Sequence, residues 1–220
     1  MENKFILIVL LIIQFNIFIS LNDEKIILEN EKGPIGNYTY ELWKDFGQTT
    51  MTLKGDGKFS CSWNNIGNVL FRVGKRWESK QTYQEIGKIK VNFEFSFISN
   101  NTARYGIYGW TQNPLIEYYI IENSEGYLPS ESKFGTLSID EGNYDMHRTV
   151  LGSFDSDQII QLWSIRNEKR NKGTVSVTEH FKTWEKYGYK LGKLFEVSLL
   201  VEGYKGFGNA NITKNEILIE

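Results

Sequence analysis

The stretch KVNFEFSFI, residues 90–98, decides the fold class. Val91, Phe93, Phe95 and Phe97 recur at every second position, while Asn92, Glu94 and Ser96 fill the gaps. Side chains of a strand alternate between its two faces, so this run predicts a half-buried β-strand. Working outward, KFSCSW, RYGIYGW, PLIEYYIIE, QIIQLWSIR, TVSVTE and FEVSLLVEG are likewise rich in β-branched and aromatic residues. Turn residues punctuate them, as in KGDGK and DEGN. One segment reads as a helix: TEHFKTWEKYG, with Thr178 as its cap, Phe181 and Trp184 three apart, and Gly188 at its stop. Many strands and one helix predict an all-β protein, a sandwich or jelly roll of two packed antiparallel sheets with a single α-helix.

The chain has 220 residues, of which residues 1–20 read as a signal peptide. Lys4 precedes the apolar run Phe5–Ile13, and Ser20 is a small residue placed for cleavage. Gln14 and Asn16 interrupt the run, which argues against a membrane anchor. Residues 21–36 are charged and read as a flexible lead-in, leaving residues 37–220 as one domain. The expected product is secreted and extracellular, with no membrane contact after cleavage. A formal charge of −2 without a basic tract gives no electrostatic case for nucleic acid. Cys61 is the only cysteine, so no internal disulfide forms; it is expected to be a small buried apolar residue. His147 and His180 are the only histidines, and no metal-ligand spacing is present. Asn37, Asn100 and Asn211 begin glycosylation sequons.

Glu117 stands among Leu115, Ile116, Tyr118, Tyr119, Ile120 and Ile121. A carboxylate is costly to bury there without a partner. Alternation puts Leu115, Glu117, Tyr119 and Ile121 on one face, and Ile116, Tyr118 and Ile120 on the other. Glu117 pairs with an arginine across the sheet, stands on an exposed face between tyrosines, or projects with Tyr119 into a concave, aromatic surface. Glu202, in LLVEGYKGFG, is a second carboxylate at an apolar strand position and shares a face with Leu200 and Tyr204. Two such glutamates suit glycoside hydrolysis: one attacks the sugar carbon or activates water, the other stays protonated until the leaving oxygen needs its proton. Glu122, Glu125, Glu141 and Glu185 read as solvated residues of turns and helix.

YGWTQNPLIEYYIIENSEGY and VEGYKGFGNANIT resemble the two signature segments of glycoside hydrolase family 11, the endo-β-1,4-xylanases. SWNNIGNVL with VGKRW, and QLWSIRNEKRNKGTVSVTEHFKTWEKYG, resemble further segments in the family's order, so the likeness covers Tyr38 to about Thr213. It implies a β-jelly roll curled around a long cleft. It implies a retaining double displacement on xylan, with Glu117 as nucleophile, Glu202 as general acid/base and their carboxyl groups ~5–5.5 Å apart. No cofactor or metal is implied, and a monomer is expected. Asn68 matches a residue that hydrogen-bonds the acid/base; its plainer reading is a turn asparagine. Trp43 matches a tryptophan that stacks on a sugar ring, against an ordinary core role. Tyr108 and Tyr119 match tyrosines beside the nucleophile, and Gln161 a polar contact near it. Trp77, Trp163 and Trp184 are assigned to the core.

The match has gaps. The family's thumb hairpin carries Pro-Ser-Ile; here the Tyr144–Gln161 segment is shorter by roughly one short turn, has no proline, and places Gly152–Phe154 there. Arg148 is a candidate for the thumb arginine. Thr102 and Arg104 occupy places that commonly hold Asn and Tyr, and Glu196 replaces a cleft tyrosine, where an extra carboxylate could raise a neighbour's pKa. Two alternatives accompany the xylanase reading: a non-catalytic carbohydrate-binding jelly roll, and a related retaining β-1,4-glucanase.

Overall fold

The computed structural model describes residues 24–129, 132–152 and 158–220. The expected signal peptide lies outside the described residues, as do Ser153 and Phe154 of the thumb. In chain order the first strands are β1 (Lys25–Ile27), β2 (Glu31–Ile35), β3 (Tyr38–Lys44), β4 (Gln48–Leu53), β5 (Phe59–Asn64) and β6 (Asn68–Arg76). A one-turn helix α1 (Tyr83–Ile86) precedes β7 (Ile89–Ser99), β8 (Ala103–Gln112), β9 (Ile116–Glu125), β10 (Lys133–Ile139), β11 (Gly142–Leu151), β12 (Ile159–Arg166) and β13 (Lys172–Val175). Helix α2 (Val177–Lys186) then leads to β14 (Lys193–Tyr204) and β15 (Phe207–Ile219).

The strands form two sheets. One has six strands in the order β1-β4-β5-β15-β7-β13; the other has nine, in the order β10-β11-β12-β9-β8-β14-β6-β3-β2. Among the described residues pairing is antiparallel except between β12 and β9, which run parallel. The inner faces enclose one core. Val91, Phe93 and Phe95 of β7 are buried in it, as the alternation predicts, and Phe97 is half-buried near the end of the strand. Phe95 and Phe97 stack on Tyr105 from the opposite sheet, with centroids 5.5 and 3.9 Å apart. Each fully buried large apolar side chain contributes roughly 1.5–3 kcal/mol. Cys61 is buried in the same core, as expected.

Three local expectations change. Of the lead-in, the described residues contain β1 and β2, because the polar run has open strand edges to pair with: β1 pairs with β4 and β2 with β3. The segment TVSVTE divides, with β13 ending at Val175 and α2 starting at Val177, capped at Ser176. Thr178 is therefore inside the helix; its hydroxyl accepts from the Ile89 N–H at 2.8 Å, tying α2 to β7. The second helix, α1, was hidden by its length: Thr82 and Glu85 form a capping box around a single turn.

Candidate active site

The concave face of the nine-stranded sheet carries a cleft of about 730 Å³, within the usual range for a ligand site. Its floor is built by strand parity. On β9, Ile116, Tyr118 and Ile120 face the core, while Glu117, Tyr119 and Ile121 face the cleft. Antiparallel pairing sets Tyr108 of β8 opposite Tyr119. The parallel β9–β12 pairing sets Gln161 of β12 beside Glu117, and Trp163 beside Tyr119.

Glu117 is 5% exposed, and three neutral donors converge on it. Tyr108 OH donates to Oε1 at 2.8 Å, Tyr119 OH to the same oxygen at 3.1 Å, and Gln161 Nε2 to Oε2 at 2.6 Å. All three act as donors, so both carboxylate oxygens of Glu117 are held in place. The donors are held in turn. Trp110 Nε1 donates to Tyr108 OH at 2.6 Å. Trp163 Nε1 donates to Thr149 Oγ1 at 2.8 Å, and Thr149 donates to Gln161 Oε1 at 2.7 Å. The arginine-paired reading of Glu117 does not hold; no ion pair with it occurs among the described residues.

Glu202 of β14 reaches the same cleft and is 3% exposed. It has the arginine partner. Arg104 Nη1, across the β8–β14 pairing, donates to Oε2 at 3.1 Å and to Tyr204 OH at 3.1 Å; Tyr204 OH donates to Oε1 at 2.8 Å. Burial pushes the Glu202 carboxyl above its ordinary range; Arg104 opposes this most strongly, Tyr204 adds to the opposition, and the Glu117 charge pushes up. On the core side the next residue is Gly203. A Cβ there would lie 2.7 Å from the Trp63 indole, so only glycine lets the strand sit this close.

The remaining expectations divide. Trp43 lines the cleft and is 43% exposed, a free aromatic face and not a core tryptophan. Asn68 lines the cleft opposite Tyr204 but makes no bond to Glu202, whose oxygens accept from Arg104 and Tyr204 instead; its Oδ1 is buried without a partner among the described residues. Trp184 is fully buried and Trp77 packs partly buried against the core. Trp163, assigned to the core, belongs to the cleft floor, stacked on Tyr119 with centroids 3.8 Å apart. Arg148 shares the strand parity of the core residues Tyr144 and Met146, opposite to that of the cleft residue Thr149. Thr102 lies beyond the cleft floor, where its Oγ1 accepts from the Tyr127 N–H at 3.1 Å.

Two other carboxylates depart from their readings. Glu196 does not line the cleft: it is fully buried and paired with Arg72 and with Arg76, the latter at 3.1 Å. Burial still holds its carboxyl above the ordinary range, against both arginines. Glu122 is not solvated; it is 1% exposed, paired with Arg170 and accepting from Tyr144 OH at 2.6 Å. The β8–β9 register skips it, since Tyr105 pairs with Asn123 and Gly106 with Ile121. Sequence reasoning also missed Thr149. A lone threonine carries no local signal, and only its register opposite Gln161 reveals it.

A curled two-sheet β fold with paired glutamates in an aromatic cleft defines a class, the glycosidase jelly rolls. Residues 35–213 match the profile of glycosyl hydrolases family 11, and the chain belongs to that family. It is 48% identical over 200 residues to endo-1,4-beta-xylanase A of Thermoclostridium stercorarium, covering 89% of this chain and 31% of that protein. It is 44% identical to endo-1,4-beta-xylanase A of Bacillus pumilus, covering 88% and 86%. The chain thus spans about a third of the first relative and most of the second. The family 11 xylanase structure from Neocallimastix patriciarum superposes with a TM-score of 0.83 at 29% identity, covering 89% of this chain and all of that one.

Proposed function

We propose that the protein is an endo-β-1,4-xylanase acting by retaining double displacement. The observation that carries this reading is the differential treatment of two carboxyls in one cleft. Glu117 receives three neutral donors, whereas Glu202 is pushed toward its protonated form by burial. In the first step Glu117 attacks the anomeric carbon while Glu202 gives its proton to the departing glycosidic oxygen, and the C–O bond breaks. In the second step Glu202, now a carboxylate, takes a proton from water as that water attacks the same carbon and releases Glu117. Trp43 offers a face for the axial C–H groups of a xylose ring, and Tyr108, Tyr119 and Gln161 orient the nucleophile.

The relatives named above carry xylanase names, which supports xylan as the substrate. The test is reducing-sugar release from soluble xylan beside Glu117→Gln and a carboxymethyl-cellulose control. Release from xylan alone, lost in the variant, is expected. Equal release from cellulose would overturn the substrate, and full activity of the variant would overturn the nucleophile. The proposal extends to export directed by residues 1–20 and to a monomeric mature chain. N-terminal sequencing of the secreted product and sedimentation would check both.

A further inference from the structure

Resting on the reading of Glu202 as acid/base, we propose that Arg104 is its positioning residue, fixing the carboxyl through two contacts and setting the alkaline limit of turnover. The geometry is closed. Arg104 Nη1 lies 3.1 Å from Glu202 Oε2 and 3.1 Å from the Tyr204 oxygen, which donates to the other carboxylate oxygen. The guanidinium is itself held over two rings, 5.1 Å from the Trp163 centroid and 4.7 Å from that of Tyr204. It is 7% exposed, and Glu202 is its only ion-pair partner among the described residues. A rigid, always charged fork in this position cannot leave the carboxyl and cannot lose its charge at any working pH.

The surroundings leave this role to Arg104 alone. The ionisable groups facing Glu202 are Tyr204 on its own strand, Arg104 on β8, and Glu117 and Tyr119 on β9. On β6 the opposite residue is Leu70, followed by Asn68 across from Tyr204, and neither is charged. The nearest cation on β6, Arg72, is committed to Glu41 and Glu196. On the core side the group nearest to Gly203 is the Trp63 indole. Among the described residues Arg104 is therefore the one cation paired with the acid. It favours the carboxylate that forms when the proton passes to the leaving oxygen. The cost is that the proton is also lost to solvent at a lower pH than burial alone would allow.

The experiment measures kcat/KM against pH on soluble xylan for the parent, Arg104→Met and Arg104→Lys, with an aryl xylobioside as a second substrate. Arg104→Met should move the alkaline limb up by about one pH unit or more. Its loss of rate at the plateau should be larger on xylan than on the aryl glycoside, whose leaving group needs little protonation. Arg104→Lys should keep the limb near the parent's. An alkaline limb that stays in place or moves down in Arg104→Met overturns the proposal. If that variant does not fold, Arg104→Tyr, which fills the same aromatic slot without charge, is read against the same expectation. Glu202→Ala separates the two readings. Inactive on xylan and rescued by azide on the aryl substrate, it upholds the acid/base, and an unmoved limb then removes the Arg104 proposal alone. Full xylan activity of Glu202→Ala would remove the acid/base assignment itself.

Discussion

Replacing His180 with Phe should make the protein markedly more resistant to acid. His180 lies inside α2, fully buried, edge-on to Tyr144 with centroids 4.7 Å apart, and neither ring nitrogen has a hydrogen-bond partner among the described residues. Burial, with the charges of Arg170 and Arg166, pulls its pKa down to about 3. In the unfolded chain the ring titrates near its ordinary value, about 6.5. The unfolded state therefore binds a proton that the folded state refuses. The stability that the neutral ring permits is whole above about pH 6.5 and is lost as the pH falls toward 3. Between pH 7.5 and pH 4 the linkage amounts to about 3 kcal/mol. His180→Phe removes it, so urea denaturation at the two pH values should show the variant losing about 3 kcal/mol less than the parent. In thermal melts this is roughly 6–12 °C at pH 4. At pH 7.5 the two proteins should differ little, since the phenyl ring fills a similar volume and leaves no buried nitrogen unpaired. A difference between the two pH values below about 1 kcal/mol would mean that the ring is protonated within the fold, and the burial argument would fail.

Other substitutions test the network around the cleft. Thr149→Val cuts both the Trp163 and the Gln161 bonds, and should lower kcat about tenfold with KM little changed, as measured by steady-state kinetics on xylan. Trp43→Ala removes an exposed aromatic platform; loss of about 1 kcal/mol of stacking should raise KM several-fold while leaving the pH profile in place. Arg170→Ala strands the buried Glu122 carboxylate and should cost about 3–5 kcal/mol by urea denaturation, largely restored by a further Glu122→Gln. Gly203→Ala drives a methyl group against Trp63 and displaces the strand that carries Glu202. Its activity on xylan should fall more than its far-ultraviolet circular dichroism changes.

The facing of the strands that were read in advance was determined by the sequence alone, because alternation is a local property: each side chain's face follows from its neighbours two residues away. The buried row of β7, the two faces of β9, and the shared face of Leu200, Glu202 and Tyr204 were all legible in this way. What stands next to each strand was decided by the tertiary structure. The parallel β9–β12 pairing brings Gln161 to Glu117 across 44 residues of chain, and β8 brings Arg104 to Glu202 across 98. The skipped register at Glu122 buries a carboxylate whose neighbours read as a turn, and two arginines of β6 remove Glu196 from the cleft. A charge buried in a sheet is stabilised or exposed by the strand beside it, and strand order is set by the whole core, so no window of sequence contains it.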